Sequence, residues 1–120
     1  MTEVRLIPGG LHRDERGEVR YGNGFRLDRV DRFYSVYPVD KEEMRGWVGH
    51  RREWKWFFLQ GAFDVGIIVP DDWHAPSRAL PVTLYHISAA NPQVMEIPPG
   101  CVPAHRSADD RSILAVFHPA

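Results

Sequence analysis

Cysteine is nearly absent from this sequence: Cys101 stands alone, which excludes an internal disulfide and a cysteine metal cage. An excess of charge is absent too. The 15 lysines and arginines almost cancel the 16 aspartates and glutamates, so nothing draws the chain as a whole to nucleic acid or to an anionic membrane, and any anion site has to be local. No apolar run comes near the roughly 20 residues that cross a bilayer as a helix. The opening Met-Thr-Glu-Val-Arg-Leu-Ile-Pro lacks the apolar stretch of a secretory signal. The expectation from these absences is a cytoplasmic protein with no membrane or nucleic-acid partner. Helical patterning is missing as well, since no window long enough for a good helix repeats its apolar residues at helical spacing.

What is present is a chain of 120 residues, 43% hydrophobic and 26% charged, the length and balance of a single globular domain spanning 1–120. Ten glycines and ten prolines divide it into short pieces. The apolar pieces, Arg32 to Val39, Trp54 to Leu59, Phe63 to Val69, Val82 to Ile87, Val94 to Ile97 and Ser112 to Phe117, are rich in β-branched and aromatic residues and bounded by turn formers. That is the signature of strands. Alternation in the first piece predicts one face of Phe33, Ser35 and Tyr37 and another of Arg32, Tyr34 and Val36. Gln60-Gly61-Ala62 predicts a tight hairpin, Asp71 to Pro76 a wider loop, and Asp40-Lys41-Glu42-Glu43-Met44 one helical turn capped by Asp40. Short, evenly spaced strands with almost no helix predict an all-β sandwich or barrel.

Chemistry is densest between Met44 and Trp56, where an imidazole, a carboxylate and several cations fall within a dozen residues. A strand from Arg45 onward puts Arg45, Trp47 and Gly49 on one face and Gly46, Val48 and His50 on the other. The glycines leave room for a ligand over the sheet. The alternative is a half-exposed strand with a solvated charge run. Further on, Pro98-Pro99-Gly100 stiffens the chain ahead of His105; taken alone, the pattern fits a surface turn with a surface histidine. His12, His74, His86 and His118 read as structural or solvated, and the tryptophans as core first and ligand wall second.

The order of these motifs resembles the sugar 3,4-ketoisomerases and dTDP-4-dehydrorhamnose 3,5-epimerases, RmlC-like cupin enzymes of dTDP-4-keto-6-deoxyhexoses. Asp14-Glu15-Arg16-Gly17 is similar to their early Asp-x-Arg-Gly element and Arg32-Phe33-Tyr34 to their Arg-x-Tyr strand. Arg45 to His50 is similar to the ketoisomerase Arg-Gly-x-His-Ala-His segment, Trp56 to Val69 to the central hairpin, and Ile97-Pro98-Pro99-Gly100 to the turn leading back into the barrel. The resemblance runs from about Leu11 to Phe117.

What the resemblance implies is an RmlC-like cupin fold, a double-stranded β-helix or jelly-roll barrel, and an isomerase that moves a proton next to the ketone of a dTDP-sugar. His50 corresponds to the second histidine of the pair and is the expected base. Lys55 and Tyr34 complete the expected catalytic set by polarising or protonating. Arg45, Arg16 and Trp47 are the expected substrate-binding residues, the arginines for phosphate and the indole for base or sugar, with Trp56 a second possible wall. No cofactor or metal is implied, and the expected partners are a nucleotide-sugar and a second copy of the chain in a homodimer. Two departures count against full catalysis: Val48 replaces the first histidine of the pair, and no tyrosine follows Tyr85. They keep open a cupin-fold binding module that has lost its chemistry. A metal-dependent cupin using His50, Glu53 and His105 is the third reading, with Val48 standing where a ligand is needed.

Overall fold

Segments rich in β-branched and aromatic residues, cut short by glycine and proline, fold as strands in a computed structural model that describes residues 3–40, 42–47, 52–77 and 79–119. In chain order they are β1 (Arg5–Pro8), β2 (Gly10–Asp14), β3 (Gly17–Tyr21), β4 (Arg32–Val36), β5 (Met44–Arg45), β6 (Lys55–Gln60), β7 (Ala62–Ile68), β8 (Thr83–Ser88), β9 (Gln93–Ile97), β10 (Val102–Ser107) and β11 (Ile113–His118). The described residues contain no α-helix, hence none long and apolar enough to cross a membrane. The expected helical turn includes Lys41, which lies outside the described residues; around it Asp40 Oδ1 accepts the amides of Glu42 and Glu43 at 2.8 and 3.1 Å, and the Asp40 carbonyl accepts from the Glu43 amide at 3.4 Å.

One sheet has the order β1-β9-β6-β11-β4 and a second the order β5-β10-β7-β8, while β2 and β3 form a separate two-stranded ribbon. From β6 onward the chain passes back and forth between the two main sheets, and only β7 and β8 follow each other within one. This is the expected all-β jelly roll. The Gly61 turn corrects one expectation, because it is a corner and not a hairpin. β6 belongs to the first sheet and β7 to the second, with no pairing between them. Gly61 turns the corner at φ +80°, and the amide of Ala62 donates to Ser112 Oγ at 3.0 Å instead of to β6. A one-glycine turn between apolar runs is the same in sequence whether the strands pair or part.

Alternation decides what each face holds. Phe57 and Leu59 of β6, Met95 and Ile97 of β9, and Leu114 and Val116 of β11 point inward against Phe63, Val65 and Ile67 of β7 and Ile87 of β8. The outer face of the first sheet is buried as well. Trp56 is 1% exposed, with the Phe25 ring 5.4 Å away and the Arg29 guanidinium at 5.2 Å. Buried Glu96 ties this layer down by accepting from Trp56 Nε1 at 3.0 Å and from Arg5 Nε at 2.9 Å. Trp56 is thus a structural residue and forms no part of a ligand wall.

The ribbon of β2 and β3 contrasts with this packing. Every residue of β3 is exposed, and the described residues extend over 53 × 34 × 21 Å.

Glu96→Ala is expected to lower the unfolding free energy by about 2–4 kcal/mol, because it strands a buried indole N–H. Arg5→Ala, whose side chain is 66% exposed, should cost less than about 1 kcal/mol. Urea unfolding measures both, and equal losses would mean that the indole bond contributes nothing.

Candidate active site

The antiparallel register of the second sheet builds the site. β10 pairs with β7 along its whole length, setting His105 opposite Val65 and Pro103 opposite Ile67, so Pro103 and His105 share the inward face with the core residues of β7. On its other side β10 pairs with β5, and His105 stands opposite Arg45. In the first sheet, Val116 of β11 lies opposite Tyr34 of β4, and Lys55 follows the inward parity of Phe57 and Leu59. These inward positions meet in a cavity of about 360 Å³ lined by Tyr34, Val36, Arg45, Gly46, Lys55, Phe57, Pro103, His105 and Val116.

Three expected site residues, Tyr34, Arg45 and Lys55, therefore come together although they lie on different strands. His50 lies outside the described residues, as do Val48 and Gly49. Trp47 does not share the face of Arg45, contrary to expectation. β5 ends at Arg45, and Gly46 has φ +147° and lies so close to β10 that a Cβ would sit 2.5 Å from Ala104 Cα. The strand's alternation is broken at that point. Trp47 packs instead on the outer side of the second sheet, 3.2 Å from where a Cβ on Gly66 would be. Arg16 also stands apart from the cavity of its own chain. It sits at the turn of the β2–β3 ribbon, where its Nη2 pairs with Asp14 Oδ2 at 2.7 Å and its amide donates to Asp14 Oδ1 at 2.9 Å.

His105 is the cavity residue that reads from the sequence as a surface histidine. No apolar–polar alternation runs through Val102-Pro103-Ala104-His105-Arg106-Ser107 to mark it, and it is the register with β7 that points the ring inward. Pro103 is tolerated in β10 because β5 pairs only with His105 and Arg106, leaving Pro103 a strand neighbour on one side alone. The His105 ring packs edge-on to Phe57 at 6.0 Å and Phe63 at 5.9 Å.

Electrostatically the cavity is one-sided: among the described residues its wall carries Arg45 and Lys55 and no carboxylate. Burial, then the charges of Arg45 and Lys55, lowers the His105 pKa from 6.5 to about 4, so the ring is neutral at pH 7. Burial lowers the pKa of Lys55, against the pull of Glu53. Burial raises that of Tyr34, against Arg45, and keeps the phenol protonated. Such a wall can bind an anion, hydrogen-bond a carbonyl oxygen and stabilise negative charge developing on it. The other histidines lie elsewhere: His12 beside Asp14 at 3.5 Å, His86 bonded to Asp64 at 2.7 Å, and His118 with its ring 5.8 Å from Tyr34. No cluster of three histidine, cysteine or acidic side chains suited to a metal occurs among the described residues.

No protein-family model and no curated protein sequence matches the chain. Solved structures do. A 3,4-ketoisomerase from Helicobacter canadensis superposes with TM-score 0.75 at 13% identity, over 100% of this chain and 85% of that one. A mutant of the 3,4-ketoisomerase QdtA from Thermoanaerobacterium thermosaccharolyticum, in complex with TDP-4-keto-6-deoxyglucose, gives 0.74 at 19% identity, over 98% and 80%. A dTDP-4-dehydrorhamnose 3,5-epimerase from Bacillus anthracis with TDP and PPi bound gives 0.74 at 16%, over 97% and 71%. The chain thus shares the all-β jelly-roll fold of these proteins. The proteins that share this fold with it include dTDP-sugar isomerases and epimerases.

The neutral histidine makes stability pH-dependent. Between pH 6.5 and about 4 the unfolded chain binds a proton at residue 105 that the folded chain refuses. This contribution to stability is full above pH 6.5 and is lost as the pH falls through that window. The urea midpoint of the native chain is expected to fall more steeply from pH 6.5 to 4 than that of His105→Gln. Parallel curves would place the ring in solvent.

Proposed function

We propose that the chain is a nucleotide-sugar isomerase or epimerase that transfers a proton next to the ketone of a dTDP-4-keto-6-deoxyhexose. The observation that carries this reading is the convergence of Tyr34, Arg45 and Lys55 on one cation-lined cavity, within a fold shared with 3,4-ketoisomerases. Arg45 binds the nucleotide diphosphate or the sugar. Tyr34, protonated at neutral pH, and Lys55 polarise or protonate the oxygen where enolate charge develops. His50 is the base by its position in the ketoisomerase-like segment, a role resting on the sequence resemblance alone.

The test is solvent deuterium uptake at the carbon next to the ketone, followed by NMR, with dTDP affinity measured in parallel by calorimetry. Arg45→Ala is expected to weaken binding by about 10–100-fold, the loss of a charge-assisted bond. His50→Asn should leave affinity within about threefold while slowing exchange by about 10²–10⁴-fold. A native chain that binds dTDP-sugars and exchanges nothing is the binding module that Val48, in place of the first histidine, favours.

The substrate role of Arg16 calls for a second chain. Among the described residues the β2–β3 ribbon pairs only with itself, and a lone two-stranded ribbon is marginal in water. Strand β4, at the edge of its sheet, exposes Phe33 at 73%. A homodimer in which the ribbon packs on the partner accounts for all three features. Sedimentation at micromolar concentration should give a dimer. Mixing Arg16→Ala and Arg45→Ala chains should restore part of the activity that each lacks, because one site of the mixed dimer is then intact. A monomer, or no rescue, removes Arg16 from the site.

A further inference from the structure

The cavity holds one polar ring for which the proposed chemistry has no role. His105 enters it from β10, with Arg45 directly across the ladder, Lys55 on the facing sheet, and the edges of Phe57 and Phe63 against its ring. No hydrogen bond joins the ring to another described residue. Among the described residues, the charged and titratable groups that face it are Arg45 on β5, Lys55 on β6 and Tyr34 on β4, with His118 of β11 beyond Tyr34. Phe63, Val65 and Ile67 face inward from β7, and none of these carries charge.

That company decides between the two things an imidazole can do here. As a base it becomes an imidazolium, adding a third positive charge to a partly desolvated wall that, among the described residues, has no carboxylate. Burial and both neighbouring cations oppose that charge. As a neutral ring it donates one N–H at no such cost. A neutral imidazole beside cations is a suitable electrophile for a carbonyl or enolate oxygen.

We infer that His105 is a ligand-contacting residue of this cavity that stays uncharged and donates a ring N–H to an oxygen of the bound molecule, leaving proton abstraction to another group. This deepens the nucleotide-sugar reading and rests on it for the identity of the ligand. The depressed pKa of the ring, about 4, agrees with the inference. The bond breaks no covalent link and leaves the imidazole unchanged in net protonation at each turnover.

Two variants and one spectrum test it. His105→Gln keeps a donor of similar reach that cannot titrate, and His105→Leu removes the donor while keeping bulk. With dTDP-4-keto-6-deoxyglucose, Gln is expected to keep deuterium exchange within about fivefold and Leu to lose at least about tenfold, the value of one hydrogen bond to developing charge. Imidazole ¹⁵N shifts of the native chain at pH 7 should report a neutral ring, free and bound, with one nitrogen moved by the ligand. Inorganic pyrophosphate serves as a second probe of the same wall. An imidazolium signature in the bound state, or loss of exchange in Gln as complete as in Leu, overturns the inference. So does a ring untouched by either probe. A ring moved by pyrophosphate but not by the dTDP-sugar upholds the contact and removes the nucleotide-sugar reading instead.

Discussion

The site depends on how one strand is paired. β10 has β7 on one side along its whole length and β5 on the other for only two residues. The long pairing anchors the parity of β10 to a strand whose inward positions are Phe63, Val65 and Ile67, so a slip of one residue would turn His105 outward and Arg106 into the core. The short pairing then carries Arg45 to the same face as His105, and Gly46 lets the chain turn away against Ala104 where no Cβ would fit. A two-residue strand has little stability of its own. Its placement is borrowed from the core beneath its neighbour.

That arrangement explains why this cavity has its electrostatic character. Inward-facing polar residues on a jelly roll are partly desolvated by the apolar layer around them, here Phe57, Val36 and Val116. Burial opposes protonation at both His105 and Lys55, reinforced at His105 by the charges of Arg45 and Lys55 and countered at Lys55 by the carboxylate of Glu53. The phenol of Tyr34 is kept as a donor by its burial. His105 and Tyr34 are thus held as neutral donors suited to meeting an electron-rich oxygen, and the cause is the shared environment more than any single pair.

Elsewhere charge serves packing. Glu96 is buried on the outer side of the first sheet, where it receives Trp56 and Arg5 while Arg29 lies over Trp54 at 4.7 Å. This layer lets the sheet be covered on both faces, and it removes Trp56 from solvent and from the cavity alike. Asp64 does something similar in a more exposed setting, holding His86 at 2.7 Å and Arg106 at 3.8 Å on the outside of the second sheet.

Much of this was legible in the residues. The six apolar segments are all strands, the Tyr34 and Val36 face is the inner one, and the motif order leads to the jelly roll, because side-chain alternation and turn residues act locally. Three features were not legible. Gly61 makes a corner and not a hairpin, since pairing depends on which sheet receives the next strand. Trp47 leaves the face of Arg45, since Gly46 breaks the alternation only where it meets Ala104. His105 enters the cavity although prolines surround it in sequence, since the register with β7 sets which way it points. Alternation by itself determined which residues could share a face; the pairing of distant strands decided which faces meet, because register is a contact between segments that no local pattern contains.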